Sequence, residues 1–258
     1  MKYRAIRAGL ELVETPIVFV DRRVGQSKMS RAIFVEALAI EVSAAVAPDR
    51  PLLGVPFPRM TFEEAIERYG SDKPDIRFGM ELVDLGPALQ GADGQGASGF
   101  VVFDSALAAG GRVKAIVAPG MGGITRREID DLTERAKRFG AKGLAHLAIE
   151  PGGDVKGPIA KFLSPETQQA VIERTGAVAG DLILIVADTP DTTADVLGRL
   201  RVDLGSQLGL ADPDVLAYVW VNRFPMYHWD EENGRWDATH NPFSGVVPED
   251  EELLVTAS

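Results

Sequence analysis

The sequence predicts an α+β fold, and three observations carry that prediction. Runs rich in Val, Ile and Leu, such as RVKAIVAP (112–119) and DLILIVAD (181–188), have the composition of strands. Capped segments with apolar residues at helical spacing lie between them. Strands and helices are mixed without strict βαβ alternation, which argues for antiparallel pairing over a doubly wound parallel sheet. The run VLAYVWVNRFPMYHWDEENGRWDATHNPF (215–243) adds a strand, a D-E-E-N-G turn and a second strand, the pattern of a hairpin.

Taken in order, residues 1–26 show no clear period, and LVETPIVFV (12–20) reads as a short strand interrupted by Pro16. Ser27 to Ala47 is Ala-rich and free of Gly and Pro, hence a helix, which Pro48 and Pro51 end. PFPRM (56–60) is extended, because a residue before proline avoids the α region. Thr61 and Glu64 form a T-x-x-E capping box that opens a helix from Phe62 to about Tyr69, with Gly70 in the C′ place. GADGQGASG (91–99) reads as a flexible loop. GFVVF (99–103) and RVKAIVAP read as strands joined by a short Ala-rich helix.

GMGG (120–123) is a loop before a second capping box, Thr125 and Glu128. Ile129, Leu132 and Ala136 then mark one face of a helix ending before Gly140. GLAHLAIE (143–150) is a strand followed by a glycine-rich turn. Ser164-Pro165 is an N-cap with Pro at N1, and the helix it starts stops near Gly176. After the buried strand 181–188, TPDTTADVLGRLRVDLGSQLG (189–209) is a long helix despite Gly198 and Gly205.

Composition excludes several classes. With no Cys among 258 residues there is no disulfide, thiolate metal site or Cys nucleophile. No apolar run approaches the ~20 residues of a membrane span, so no membrane association is expected. MKYRAIRAGLELVE has scattered charges and no apolar core, unlike a signal peptide, and the expected location is the cytoplasm. The net charge of −11 makes the chain as a whole repel polyanions, although residues 1–31 carry seven basic side chains against three acidic ones.

Chemistry-bearing patterns are sparse. His146, His228 and His240 are far apart and lack H-x-x-x-H spacing, so no metal site is expected. His146 lies in an apolar strand as a core or edge residue, and His228 alternates with Tyr227 and Trp229 on the outer face of the hairpin. His240, in THNPF, sits just beyond a turn–strand unit, where a pocket rim is plausible. No phosphate-binding glycine loop follows a strand and opens a helix with the required Lys. GMGG leads into a helix, but no Lys or Ser follows it in the right place.

Several stretches resemble bacterial-type aspartyl-tRNA synthetase. PFPRMTFEEAIERYGSDKPDIRFGMEL (56–82) is similar to that family's link from its class II catalytic core into an inserted domain. GGRVKAI, LTERAKRFGAKGLAHL, GPIAKFLSPE, DLILIVAD and LGRLRVDLGSQLGL resemble that insertion, the GAD domain, which is shared with the archaeal tRNA-dependent amidotransferase. WVNRFPMYHWDEENGRWDATHNPF (220–243) and PEDEELL (248–254) resemble the return to the core. The layout implied is an N-terminal remnant and helix (1–55), a core remnant (56–78), a GAD-like domain (79–215), and a core-remnant hairpin with an acidic tail (216–258). The flanking strands are expected to be antiparallel and close together, and GSDKPDIRF (70–78) to be a hinge-like turn.

By the same resemblance, His240 matches the first His of the H-H-P-F-T pattern and would line the rim of the aspartate and adenylate pocket, while Asn241 replaces the second His. Arg223 stands where W-V-x-D-F-P has an acid. The F-R-x-E and G-x-E-R motifs, whose arginines hold ATP in class II enzymes, do not occur in these 258 residues. ATP and magnesium are thus implied by the family alone, and no catalytic residue is assigned in this chain. The expectation is a synthetase-like protein without aminoacylation activity on its own. The alternatives are an aspartate–tRNA ligase completed by another chain, or a GAD-type module of a tRNA-dependent amidotransferase. Expected partners are tRNA, a synthetase or amidotransferase subunit, or a second copy of the chain.

Overall fold

The structure, a computed structural model, describes residues 31–90, 96–230 and 233–239. The chain divides into two units, residues 1–46 and 47–258. In the first, the described part is helix α1 (Arg31–Val46), inside the helix expected from composition. The strand expected at 12–20 lies outside the described residues, as does most of the 91–99 loop.

The second unit is built on a five-stranded sheet of β3 (Val83–Asp84), β4 (Arg112–Ala118), β5 (Ala145–Ile149), β6 (Val155–Lys156) and β7 (Leu182–Asp188). Its order is β3-β4-β7-β5-β6, and every neighbouring pair is antiparallel. The α+β expectation therefore holds. β4 and β7 are buried on both faces, which is why their sequences are almost continuously apolar.

One face carries Ile116, Ala118, Leu182, Leu184 and Val186, covered by α5 (Arg126–Arg138) and α7 (Pro190–Gln207). The other carries Val113, Ala115, Leu147, Ile183 and Ile185, covered by α3 (Gly86–Leu89), α4 (Val101–Ala108) and α6 (Pro165–Thr175). Each fully buried Leu or Ile contributes roughly 1.5–3 kcal/mol of burial free energy, so these two layers hold the module together.

Local signals explain the helix ends. The Thr125–Glu128 box is complete: Glu128 N–H donates to Thr125 Oγ1, and Thr125 N–H donates to Glu128 Oε2 at 2.9 Å. At α2 (Phe62–Tyr69) only half of the expected box forms. Thr61 Oγ1 accepts from Glu64 N–H at 3.0 Å, but the Glu64 carboxylate turns to Arg68 at 2.7 Å, because a cation four residues on is the stronger partner. Gly70 and Gly176 close α2 and α6 in the left-handed conformation.

Three expectations are corrected. GFVVF is not a strand: Val101 opens α4. Its inward residues Phe100, Phe103 and Leu107 follow helical spacing, and the β-branched Val101 and Val102 lie exposed. Next, 215–222 is two strands rather than one, β8 (Leu216–Ala217) and β9 (Trp220–Asn222). They pair with β1 (Leu52–Leu53) and β2 (Arg59–Thr61) in parallel, not antiparallel.

Connectivity permits this parallel pairing. Parallel neighbours need a long crossover, and here the whole module between β2 and β9 is that crossover. The flanks do meet as expected, with Arg59 opposite Trp220 and Thr61 opposite Asn222. Only β10 (Tyr227–Asp230) and β11 (Arg235–Ala238) form the antiparallel hairpin, with the Trp229 and Trp236 rings 5.6 Å apart.

Candidate functional site

Two places concentrate polar side chains. The first is the part of the sheet that α5 and α7 leave open. Because those helices cover β4 and β7, the same face of β5 and β6 borders a cavity of about 700 Å³. Gly122 and Gly123, the start of α5 and the β6 edge complete its wall.

Alternation along β5 decides which side chains face it. Leu147 and Ile149 point into the core of the α6 side, and His146 and Ala148 face the cavity. His146 lies opposite Leu184 of β7 in the strand register, and burial pushes its pKa below the ordinary imidazole value. Arg126, Asp130 and Thr133 enter from α5, and Glu150 and Lys156 form an ion pair at 2.5 Å across the β5–β6 end. These groups offer donors, acceptors and both signs of charge to a bound molecule. No group of three His, Cys, Asp or Glu side chains placed to hold a metal occurs among the described residues.

The second place is the junction between α2 and the module. Arg201 of α7 is 1% exposed. Its Nη2 donates to the carbonyls of Asp75 (2.9 Å), Phe78 (2.8 Å) and Gly79 (2.8 Å), and its Nε donates to Gly79 O at 3.1 Å. The guanidinium carbon stands 4.1 Å from the Phe78 ring centroid and 5.0 Å from that of Tyr69.

Lys114 of β4, also buried, donates to Glu67 O at 3.0 Å and pairs with the Glu67 carboxylate at 2.7 Å. Arg68 grips Glu81 through two bonds of 2.8 Å. Arg68 therefore holds the Glu81 carboxyl below the usual carboxylate range, and Arg77 does the same for Asp75. Burial lowers the Arg201 pKa and raises that of Tyr69.

The sequence-predicted residues are not gathered by this geometry. His240 lies outside the described residues. His146 enters the cavity, and His228 sits on β10 opposite Asp237. Gly122 and Gly123 of the GMGG loop border the cavity, although the sequence, with no Lys or Ser following that loop in the right place, argued against a site there. Arg126, Lys156 and Glu150 carry no spacing signal that would have singled them out. Arg201 did leave one: a lone Arg midway between Gly198 and Gly205 on an otherwise apolar helix face.

Comparison with known proteins matches the model of the GAD domain to residues 103–197. An aspartate–tRNA(Asp/Asn) ligase of Symbiobacterium thermophilum is 43% identical over 241 residues, 92% of this chain and 38% of that protein. The corresponding ligase of Moorella thermoacetica is 47% identical over 78% of this chain and 32% of its own length. An aspartate–tRNA ligase of Geobacillus kaustophilus is 48% identical over 85% of this chain and 36% of its own. The chain spans roughly a third of the length of these relatives. In the first of these alignments the similarity covers nine-tenths of the chain, so it extends beyond the GAD module into its flanks. The chain therefore carries a GAD-domain match at its centre and is similar, over most of its own length, to about a third of the length of bacterial aspartate–tRNA ligases.

Proposed function

We propose that the chain is the inserted module of an aspartate–tRNA ligase-type protein with the strands that mount it, and that by itself it does not form aspartyl adenylate. The observation that carries this reading is the absence of both F-R-x-E and G-x-E-R from the 258 residues. Adenylate formation builds negative charge on phosphorus, and its catalysis is mainly positioning and cationic stabilisation. Loss of one such donor costs on the order of 10²–10³ in rate. Both arginines that grip ATP phosphates in the family's motifs are missing from these 258 residues.

The module's role is interaction, with tRNA, as the names of its relatives suggest, or with a ligase chain, in the cytoplasm. The paired flanks β2 and β9 favour the ligase setting over an amidotransferase, because they retain both of the segments that resemble the synthetase core on either side of the module. The test is aspartate-dependent ATP–pyrophosphate exchange by the purified chain, with and without tRNA. No exchange is expected. Exchange that disappears in His240→Ala would overturn the reading. Exchange that appears only on adding a second chain bearing the two arginine motifs would establish the completed-ligase alternative.

A further inference from the structure

We infer that the junction 70–80 is a locked joint: the buried Arg201 and the Arg77 tie fix the module's orientation relative to the strands that mount it, so the module does not swing. This corrects the hinge expected there from sequence, and it holds whether or not the chain activates aspartate.

The argument begins with what Arg201 has for partners. Its side chain is 1% exposed and makes no direct ion pair with a carboxylate among the described residues, the nearby Asp75 and Glu81 acting on it only electrostatically. The four hydrogen bonds go to backbone carbonyls of the junction, and two aromatic faces flank the cation. Swinging the turn away would strip those acceptors from a buried cation, which is strongly unfavourable. The turn and α7 therefore move together. α7 is itself packed on β4 and β7, so the turn is fixed to the module core.

Shape reinforces the lock. Gly198 and Gly205 lie one heptad apart on the α7 face that carries Arg201. A Cβ on Gly198 would stand 2.6 Å from Gly70 O and 2.8 Å from Tyr69 O, and one on Gly205 would stand 2.4 Å from the Phe78 ring. These glycines let the end of α2 and the turn lie directly against the helix. Met80 sits at φ 59°, a conformation its own preferences disfavour, so its surroundings impose it.

The chain leaving the module is tied to the chain entering it. Arg77 Nη1 donates to Asp212 O at 3.2 Å while its other nitrogens hold Asp75. Entry and exit are thus bridged on both sides of the joint. Anything bound to the module is presented at one orientation to whatever adjoins β2 and β9.

The absence of Cys allows clean spin labelling. In the full chain, Glu63→Cys on α2 and Arg127→Cys on α5, both at exposed positions, are labelled, and their distance distribution is read by pulsed electron resonance. A single narrow distribution is expected. Arg201→Gln is expected to widen it at least twofold while amide protection in β4 and β7 stays native. A broad distribution in the unaltered chain would overturn the inference, and so would an unchanged width in a folded Arg201→Gln variant. If Arg201→Gln loses β4 and β7 protection, Arg77→Ala decides. It removes the entry–exit tie together with the Asp75 ion pair while leaving Arg201 in place; broadening supports the lock and a native width refutes it.

Discussion

Replacing Gly198 by Ala sets two effects of opposite sign against each other. In an exposed helix interior the change stabilises by about 0.8–1 kcal/mol, because Gly loses more backbone entropy on folding. Here the new Cβ meets Gly70 O at 2.6 Å and Tyr69 O at 2.8 Å, both backbone atoms of the α2 C-terminus. No side chain can turn aside to relieve the clash. α2 must lift off α7, which also strains the Lys114 bond to Glu67 O and the Arg201 bonds to the turn. Overpacking of this kind costs about 1–3 kcal/mol. With backbone on both sides of the clash the steric cost is the larger effect, and a net loss of up to about 2 kcal/mol is expected. Gly205→Ala meets a ring rather than backbone, so its loss should be smaller. Urea unfolding of the two variants beside the unaltered chain measures both, with the shift in midpoint at constant slope giving the difference. A stabilised Gly198→Ala would refute the claim that close backbone approach, and not tolerance, explains this glycine.

Two further predictions concern single groups. Thr61→Ala removes the one side-chain cap of α2, where Thr61 Oγ1 accepts from Glu64 N–H at 3.0 Å. A loss of about 1 kcal/mol is expected, seen as a fall in Tm of about 2–4 °C for a domain of this size, and an unchanged Tm would show that β2 alone positions the helix start. His146 is held neutral by burial, so its folded pKa is below its unfolded value of 6.5. The unfolded chain then binds more protons between those two values, and stability falls as pH drops below about 6.5. Replacing His146 by Gln should flatten that part of the stability–pH curve, and an unaltered curve would show that another group carries it.

The sequence alone determined the elements whose signals are local. Strands 112–118 and 182–188 were legible because both faces are buried, and uninterrupted apolar runs result. Caps at Thr125, Ser164 and Gly176 were legible because each satisfies backbone groups within a few residues of itself. The ligase relationship was legible from collinear stretches on both sides of the module. Tertiary structure decided what depends on distant partners. GFVVF became a helix because Phe100, Phe103 and Leu107 find one core layer, which outweighs the β preference of two valines. Parallel pairing of the flanks is permitted by the long crossover between them, a property of no single strand. The cavity beside His146 exists because α5 and α7 cover β4 and β7 but leave β5 open on that face, and nothing in GLAHLAIE encodes where those helices lie. The 70–80 turn was expected to be hinge-like. It is pinned through its carbonyls, which every residue has, by an arginine more than 120 residues away in sequence. Backbone acceptors leave no mark in a sequence, so only the fold could show that this joint is closed.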